Sequence, residues 1–319
     1  MNSAIQPGLF PRDSGGLTPE TSIQAAMDAF PLFMEEKEFS ENTKRAFLSD
    51  LRLLGGRLGI GQPIGAIGTK DLNDFLNWLV YERGVPCSKK SYARRVTTLK
   101  VFFGWLYSSD VLPTDPATDL IQITVTSPLP TLPSEDEISA ALEVTQSLMD
   151  GEEGGRSDSR PHLLLTLLLD TGIKKSETMA IVPNHIDRDN PDSPLLFVRY
   201  KNPRYRNKER RIPLRRGWMN VLDLYLIQYE PADTLFTCTA RNLEYILTSV
   251  GEEAGLNRGL LSFESIRWYS AFSDYRAGVD SKKLARRLGL SDSTWRTTKA
   301  KLKKMADQEG QASGNQVLE

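Results

Sequence analysis

Apolar residues recur at helical spacing through residues 21–120. Phe47, Leu51 and Leu54 form one stripe over residues 43–54, and Gly55-Gly56 is expected to end that helix. Thr69 is expected to cap a second helix that carries Leu72, Phe75, Leu76 and Leu79 on one face. A third opens at Ser88 and runs through Tyr92, Val96, Leu99, Phe102, Phe103 and Leu106. Its aromatic cluster reads most simply as core. Lys89, Lys90, Arg94, Arg95 and Lys100 fall on the other face, which is either solvated or laid on phosphates. Asp115-Pro116 predicts the start of a short helix. The stretch ITVTSPLPTLPSED then loses periodicity and gains prolines, as a linker does. Ser134 followed by Glu137 predicts a capping box at the start of a second domain.

That second domain opens with a strongly apolar helix over residues 162–171, closed by Gly172. Two short apolar runs, 195–200 and 210–214, flank a basic connection and predict a β-hairpin. Helices are expected at 218–229, 242–254, 262–276, 281–288 and 293–305. The closing DQEGQASGNQVLE has little to bury and is expected to be mobile. The pattern predicts a mainly α chain with a small β-hairpin or sheet (α+β). Its parts are a flexible leader (1–20), a helical domain (21–123), a linker (124–133), a second domain (134–307) and a mobile tail (308–319). No internal repeat is visible.

Length, 319 residues, suits two domains, and 39% hydrophobic with 25% charged residues excludes wholesale disorder or a fibrous repeat. The longest apolar stretch, 163–169, is too short to cross a bilayer, and the first residues do not read as a signal peptide. Cys87 and Cys238 lie in separate halves, so no disulfide framework is implied and a reducing cytoplasm is expected. With His162 and His185 they are too scattered for a zinc site, and no metal or cofactor is expected. The acidic turn DRDNPD lacks the glycine and terminal glutamate of a calcium loop, so turn chemistry accounts for it. The net charge of −1 conceals strong asymmetry. Residues 1–40 and 134–160 are acidic, whereas 199–216 and 281–306 each carry nine Lys or Arg against a single acid. Two basic runs in one half point to a polyanion-binding surface, the plainer reading being solvated helix faces.

Several segments, in order, resemble the tyrosine recombinase (phage integrase, Xer-like) family. SENTKRAFLSDLRLL and KKSYARRVTTLKVFFGWLY look like its helical, SAM-like core-binding domain. LLLTLLLDTGIKKSETMAI resembles the apolar helix followed by Thr-Gly-Leu-Arg and Ser-Glu. NKERRIPL resembles the end of its hairpin. LSFESIRWYSAF and AGVDSKKLARRLGLSD resemble its His-x-x-Arg helix and Leu-Gly-His segment. The resemblance covers nearly the whole chain and implies a core-binding domain plus a catalytic-like domain, closed around duplex DNA as a clamp. It also implies a chemistry without metal or cofactor. In that chemistry a tyrosine attacks a backbone phosphate while two arginines, a lysine and two further polar residues stabilise charge and move protons.

At the positions that carry this chemistry the sequence departs from the family. Lys174 stands for the first arginine, Glu264 for the histidine, Leu290 for the second histidine or tryptophan, and Lys299 for the tyrosine. Arg267 keeps the second arginine. Tyr205 takes the hairpin lysine's place when NKERRIPL is aligned directly, whereas Lys201 or Lys208 takes it in an enlarged hairpin. No tyrosine follows Tyr275. Glu264 and Arg267 are one turn apart and are expected to lie close enough to pair, which weakens the arginine's hold on a phosphate. Lys174 keeps charge but loses the bidentate fork. Ser293, Thr294, Thr297 and Thr298 are hydroxyl neighbours with no histidine nearby in sequence to activate them.

The expectation is a DNA-binding pseudoenzyme of the family, acting as an accessory, architectural or regulatory factor in DNA recombination or integration. Its partners are duplex DNA and an active recombinase or copies of itself, with no membrane. DNA contacts are expected from Lys89, Lys90, Arg94, Arg95, Lys100, Lys174, Lys201, Arg204, Arg206, Lys208, Arg267, Lys282, Lys283 and Lys299. Two alternatives stand beside it. One is an active recombinase with an unrecognised nucleophile or a tyrosine from a partner subunit. The other is a protein-interaction module that no longer binds DNA. Leu302 and Met305 either pack on their own domain, which is simpler, or dock on another subunit, as the family's exchange of C-terminal segments implies.

Overall fold

Short side-chain oxygens set where most helices begin. Ser22 Oγ accepts from the Ala25 N–H (3.2 Å) and opens α1 (Ile23–Glu36), and Ser40 Oγ accepts from Thr43 (3.2 Å) at the start of α2 (Glu41–Leu58). After α3 (Thr69–Tyr81), Ser88 does the same for Ser91 (3.1 Å) at α4 (Lys89–Ser108). The computed structural model describes residues 16–121, 128–151, 156–190 and 192–316. Most of the expected leader, positions 124–127 of the expected linker and the last three residues of the expected tail lie outside them.

Three local expectations change. The α2 helix runs through Gly55-Gly56 and ends at Gly59, whose φ of +103° suits only glycine. Gly55 is a packing position instead, since a Cβ there would meet Ile60 at 3.4 Å and Ile23 at 3.5 Å. Thr69 does not cap α3. The cap is Gly68, whose N–H donates to Asp71 Oδ2 (2.9 Å), and the Thr69 hydroxyl donates to the Pro116 carbonyl (2.8 Å). Residues 115–120 form turns rather than a helix, because Asp115 Oδ1 captures the Ala117 N–H at 2.8 Å.

The chain divides into two compact units, Met1–Ser127 and Pro128–Glu319. In the first, Phe30 meets Phe102 edge-on (ring centroids 5.1 Å apart) and joins Leu51, Leu54, Phe75, Leu99 and Phe103 in one core. In the second, the capping box forms as expected. Ser134 Oγ accepts from the Glu137 N–H (3.1 Å) and Glu137 Oε2 from the Ser134 N–H (2.7 Å), opening α5 (Glu135–Asp150). The apolar α6 (Arg160–Thr171) is buried nearly all round and ends at Gly172 in the left-handed region (φ +56°). A short α7 (Lys175–Thr178) follows.

The sheet has three antiparallel strands in the order β1 (Ile186–Asp187), β2 (Leu195–Val198), β3 (Arg210–Pro213). The hairpin was legible, but β1 was not, because two residues carry no periodicity. The basic connection holds a 3₁₀ turn at Pro203–Lys208. Then come α8 (Trp218–Tyr229), α9 (Ala240–Glu253), α10 (Phe263–Arg276), α11 (Ser281–Arg287) and α12 (Asp292–Gln316). The protein is thus mainly helical with a small antiparallel sheet. Among the described residues no helix is long and apolar enough to cross a membrane.

The α12 helix continues well past Met305, where the apolar pattern stops. Leu302 and Met305 pack on their own unit, with Trp295, Ala271, Phe272, Leu284 and Leu288. Leu129 and Leu132 of the expected linker pack against the same cluster, and Lys301 Nζ donates to the Pro128 carbonyl (3.1 Å). Residues from Pro128 onward therefore belong with the second unit.

Candidate functional site

Alternation along β3 puts Arg210 and Ile212 on the inner face of the sheet, with Arg211 and Pro213 outside. An arginine sent inward needs a carboxylate, and α7 supplies one. Arg210 Nη2 and Nη1 donate to Glu177 Oε2 (2.9 Å) and Oε1 (3.1 Å), with the two side chains 2% and 1% exposed. Tyr200 donates its hydroxyl to Glu177 as well, and Glu177 Oε2 accepts the Lys174 N–H at 2.8 Å. Burial by itself raises the Glu177 carboxyl, but the Arg210, Lys174 and Tyr200 hydrogen bonds bring it below its ordinary value. Burial and the same carboxylate push the Tyr200 hydroxyl up to about 12. Arg210 Nε also donates to the Arg287 carbonyl (2.6 Å), tying the strand to the end of α11.

This buried pair takes Arg210 out of the basic run 199–216 that was expected to form a polyanion-binding surface. The signal was present in the sequence. Ile212 must face inward, and Arg210 lies two residues away on the same face. The left-handed Gly289 (φ +60°) gives the guanidinium its room, since a Cβ there would lie 2.7 Å from Arg210 Nη1. Gly289→Ala is therefore expected to destabilise the second unit by about 1–2 kcal/mol from backbone strain, plus the displacement of a pinned guanidinium. Urea unfolding of the variant checks this.

Beside the pair lies a cavity of about 700 Å³ lined by Lys174, Glu264, Arg267, Trp268, Leu290, Thr294 and Thr298, among others. Four of the matched positions thus converge: Lys174, Glu264, Arg267 and Leu290. Arg267 is held by main-chain carbonyls, donating to Gly172 O and to Leu288 O (2.6 Å). Burial lowers it to about 10, which leaves it charged at neutral pH. Its expected pairing with Glu264 does not form; Glu264 is exposed at the mouth of the cavity. Burial lowers the Lys174 amine too. Glu177 opposes that shift, while Arg267, Lys208 and Arg210 add to it. Lys201 is exposed, and Tyr205 leans on Tyr200 (5.7 Å between centroids) with Lys208 Nζ 5.0 Å from its ring.

Lys299 does not line the cavity and is exposed on α12. The hydroxyls that do line it are engaged. Thr248 donates to Glu244 O (2.9 Å) and Thr298 to Thr294 O (3.0 Å). Thr294 Oγ1 shares a hydrogen with Ser291 Oγ (2.9 Å), and Ser262 caps α10. Neither histidine is nearby in the lining: His162 Nδ1 meets Thr145 Oγ1 (2.9 Å), and His185 sits at the start of β1.

The other expected contacts divide. Lys89, Lys90, Arg204, Arg206, Lys282 and Lys283 are exposed. Arg94 and Arg95 are not a free face, because Asp50, 2% exposed, takes both: Arg94 by a short ion pair and Arg95 Nε at 3.5 Å. Burial raises the Asp50 carboxyl despite these partners and Thr98. Lys100 Nζ donates to Thr118 O (3.0 Å). Arg287 turns inward to Asp170 O (2.8 Å) and Ser270 O (3.0 Å), and Arg215 and Arg216 pair with Asp170 and Asp192.

Residues 29–110 match the family of phage integrase N-terminal SAM-like domains. The chain is 26% identical over 287 residues to tyrosine recombinase XerD of Rhizobium meliloti (strain 1021), covering 85% of this chain and 89% of that protein. It is 26% identical over 211 residues to tyrosine recombinase XerC of Mycobacterium sp. (strain JLS), covering 66% and 67%. Its fold is like that of XerH site-specific recombinase bound to palindromic difH substrate in a post-cleavage complex, with a TM-score of 0.66 at 17% identity over 92% of this chain and 96% of that one. It is equally like a lambda integrase dimer bound to a COC' core site, with a TM-score of 0.66 at 16% identity over 87% and 77%.

Proposed function

The chain belongs to the tyrosine recombinase family, and from that premise we propose that it binds duplex DNA without cutting it by itself, as an accessory or architectural factor in recombination or integration. The observation that carries this reading is the cavity around Arg267. It keeps cationic groups suited to a phosphate, Lys174 and Arg267, and its wall offers no tyrosine, no histidine and no uncommitted hydroxyl among the described residues. Charge that attracts a backbone phosphate is retained, and the groups that would break its bond are not there.

Binding is then mainly electrostatic. If about six phosphates are neutralised, log K falls with log salt at a slope near −5. Replacing Lys201, Arg206 and Lys208 with alanine is expected to flatten that slope by about 3 and to weaken all sequences alike, because phosphate contacts position rather than specify. Fluorescence anisotropy with a duplex at several salt concentrations checks both. A slope near zero rejects the DNA-binding reading and leaves a protein-interaction module.

With Leu302 and Met305 occupied in their own unit, they no longer support docking on a neighbour. Self-association on DNA stays part of the proposal on the strength of family membership alone.

A further inference from the structure

The outer face of the sheet carries a second concentration of positive charge, away from the cavity around Arg267. Phe197 and Arg211 are directly opposed across β2 and β3, and Arg199 lies two residues along from Phe197 on the same side. The guanidinium carbons of Arg211 and Arg199 sit 4.9 and 5.7 Å from the Phe197 ring centroid. Stacking of this kind holds an arginine's plane while leaving its N–H edge free for an oxyanion. From the other side α11 contributes Lys283 and Arg286, and the space between is a groove of about 850 Å³.

The four cations are exposed, and among the described residues none has a carboxylate partner. Arg188, Arg215, Arg216 and Arg276 of the same unit, by contrast, each sit on an acid. Glu209 borders the groove but spends Oε1 on the Tyr200 N–H (3.0 Å). Like charges gathered in a concave surface repel one another unless an anion of several charges lies among them.

The groove and the Arg267 cavity share no lining residue. Arg210 also lines the groove, but its guanidinium is taken up by the buried pair with Glu177, and Arg211 lies on the outer face.

We propose that the groove between the outer face of the hairpin and α11 is a separate phosphate-backbone site, which holds a stretch of duplex DNA other than the one at the Arg267 cavity. A run of phosphates fits better than a single anion, because the cations come from two walls of a groove much larger than one phosphate. The inference rests on the DNA-binding reading above and extends it to a site outside the family's matched positions.

The test is the salt dependence of duplex binding by the full chain carrying Arg199→Ala, Lys283→Ala and Arg286→Ala, beside unaltered protein. The triple variant is expected to lose at least tenfold in affinity at about 0.1 M salt, and its slope should flatten by about 3. Lys283→Ala with Arg286→Ala, confined to exposed positions on α11, is expected to flatten it by about 2 if the triple variant folds poorly. If unaltered protein binds DNA and both variants keep its slope, the groove proposal fails alone. If unaltered protein does not bind DNA, it fails together with the proposed function. If the variants change self-association in the absence of DNA but leave the slope intact, the groove takes an acidic protein segment and the proposal is overturned.

Discussion

Glu177→Ala is expected to cost about 3–5 kcal/mol of unfolding free energy, because it strands the Arg210 guanidinium in the interior without its carboxylate. That is a large part of the roughly 5–15 kcal/mol that holds an ordinary domain together. The lost carboxylate also leaves the Tyr200 hydroxyl and the Lys174 N–H without their acceptor. Glu177→Gln with Arg210→Met is expected to be less damaging than the sum of its single changes. The amide still accepts a hydrogen bond, and the buried charge is gone. Equal or greater loss in the double variant, read by urea unfolding, would contradict this account.

The same pair gives a pH dependence with a defined sign. The folded Glu177 carboxyl titrates below its ordinary range, so its contribution is fully present above the unfolded value. It disappears as pH falls through the depressed folded value. Unfolding followed from pH 7 downward should show a loss in unaltered protein beginning as pH drops through the ordinary glutamate range of about 4.3. In the Glu177→Gln and Arg210→Met background that component should be missing.

The second large effect concerns strand cleavage. Neither the unaltered chain nor Lys299→Tyr is expected to form a covalent adduct with a suicide DNA substrate, which traps such an adduct as a slower gel band. A tyrosine at 299 would supply the nucleophilic oxygen, but Lys299 lies outside the cavity wall. The phosphate would meet an amine at Lys174 instead of a guanidinium fork. Glu264 would set negative charge at the mouth, and Leu290 donates no hydrogen bond. Arg267 is itself tied to the Gly172 and Leu288 carbonyls. Each missing transition-state donor commonly costs about a hundred- to a thousandfold in rate. The informative comparison is therefore the single change against Lys174→Arg, Glu264→His, Leu290→His and Lys299→Tyr together, with an adduct expected, if anywhere, only in the latter. An adduct from unaltered protein would overturn the proposal and point to Thr294 or Thr298, the hydroxyls of α12 that line the cavity.

Much of the architecture was legible because its causes are local. Serine caps and the apolar stripes of α4, α6 and α8 predict those helices closely. Misreadings arose where one residue type has two uses. Gly55 reads as a stop, yet it is a contact position inside α2, and the real stop is Gly59. Thr69 reads as a cap, yet its hydroxyl is drawn to Pro116 across the unit. The end of α12 was missed because the apolar residues give out before the helix does.

By itself the sequence determined the two-part helical architecture with its hairpin and the resemblance, and it supplied the expectation that Lys174, Glu264, Leu290 and Lys299 stand at the family's catalytic positions. These follow from periodicity, capping and residue identity, which short segments carry. Tertiary structure alone decided what the charges are for. Arg94 and Arg95 answer a buried Asp50, Arg210 answers Glu177, and Arg287 answers Asp274 and main-chain carbonyls, while Arg199, Arg211, Lys283 and Arg286 are left facing a groove. A basic run looks the same in sequence whether its side chains point to water or to the core. The difference lies in where a distant carboxylate or carbonyl comes to rest, since burial without such a partner is too costly to persist.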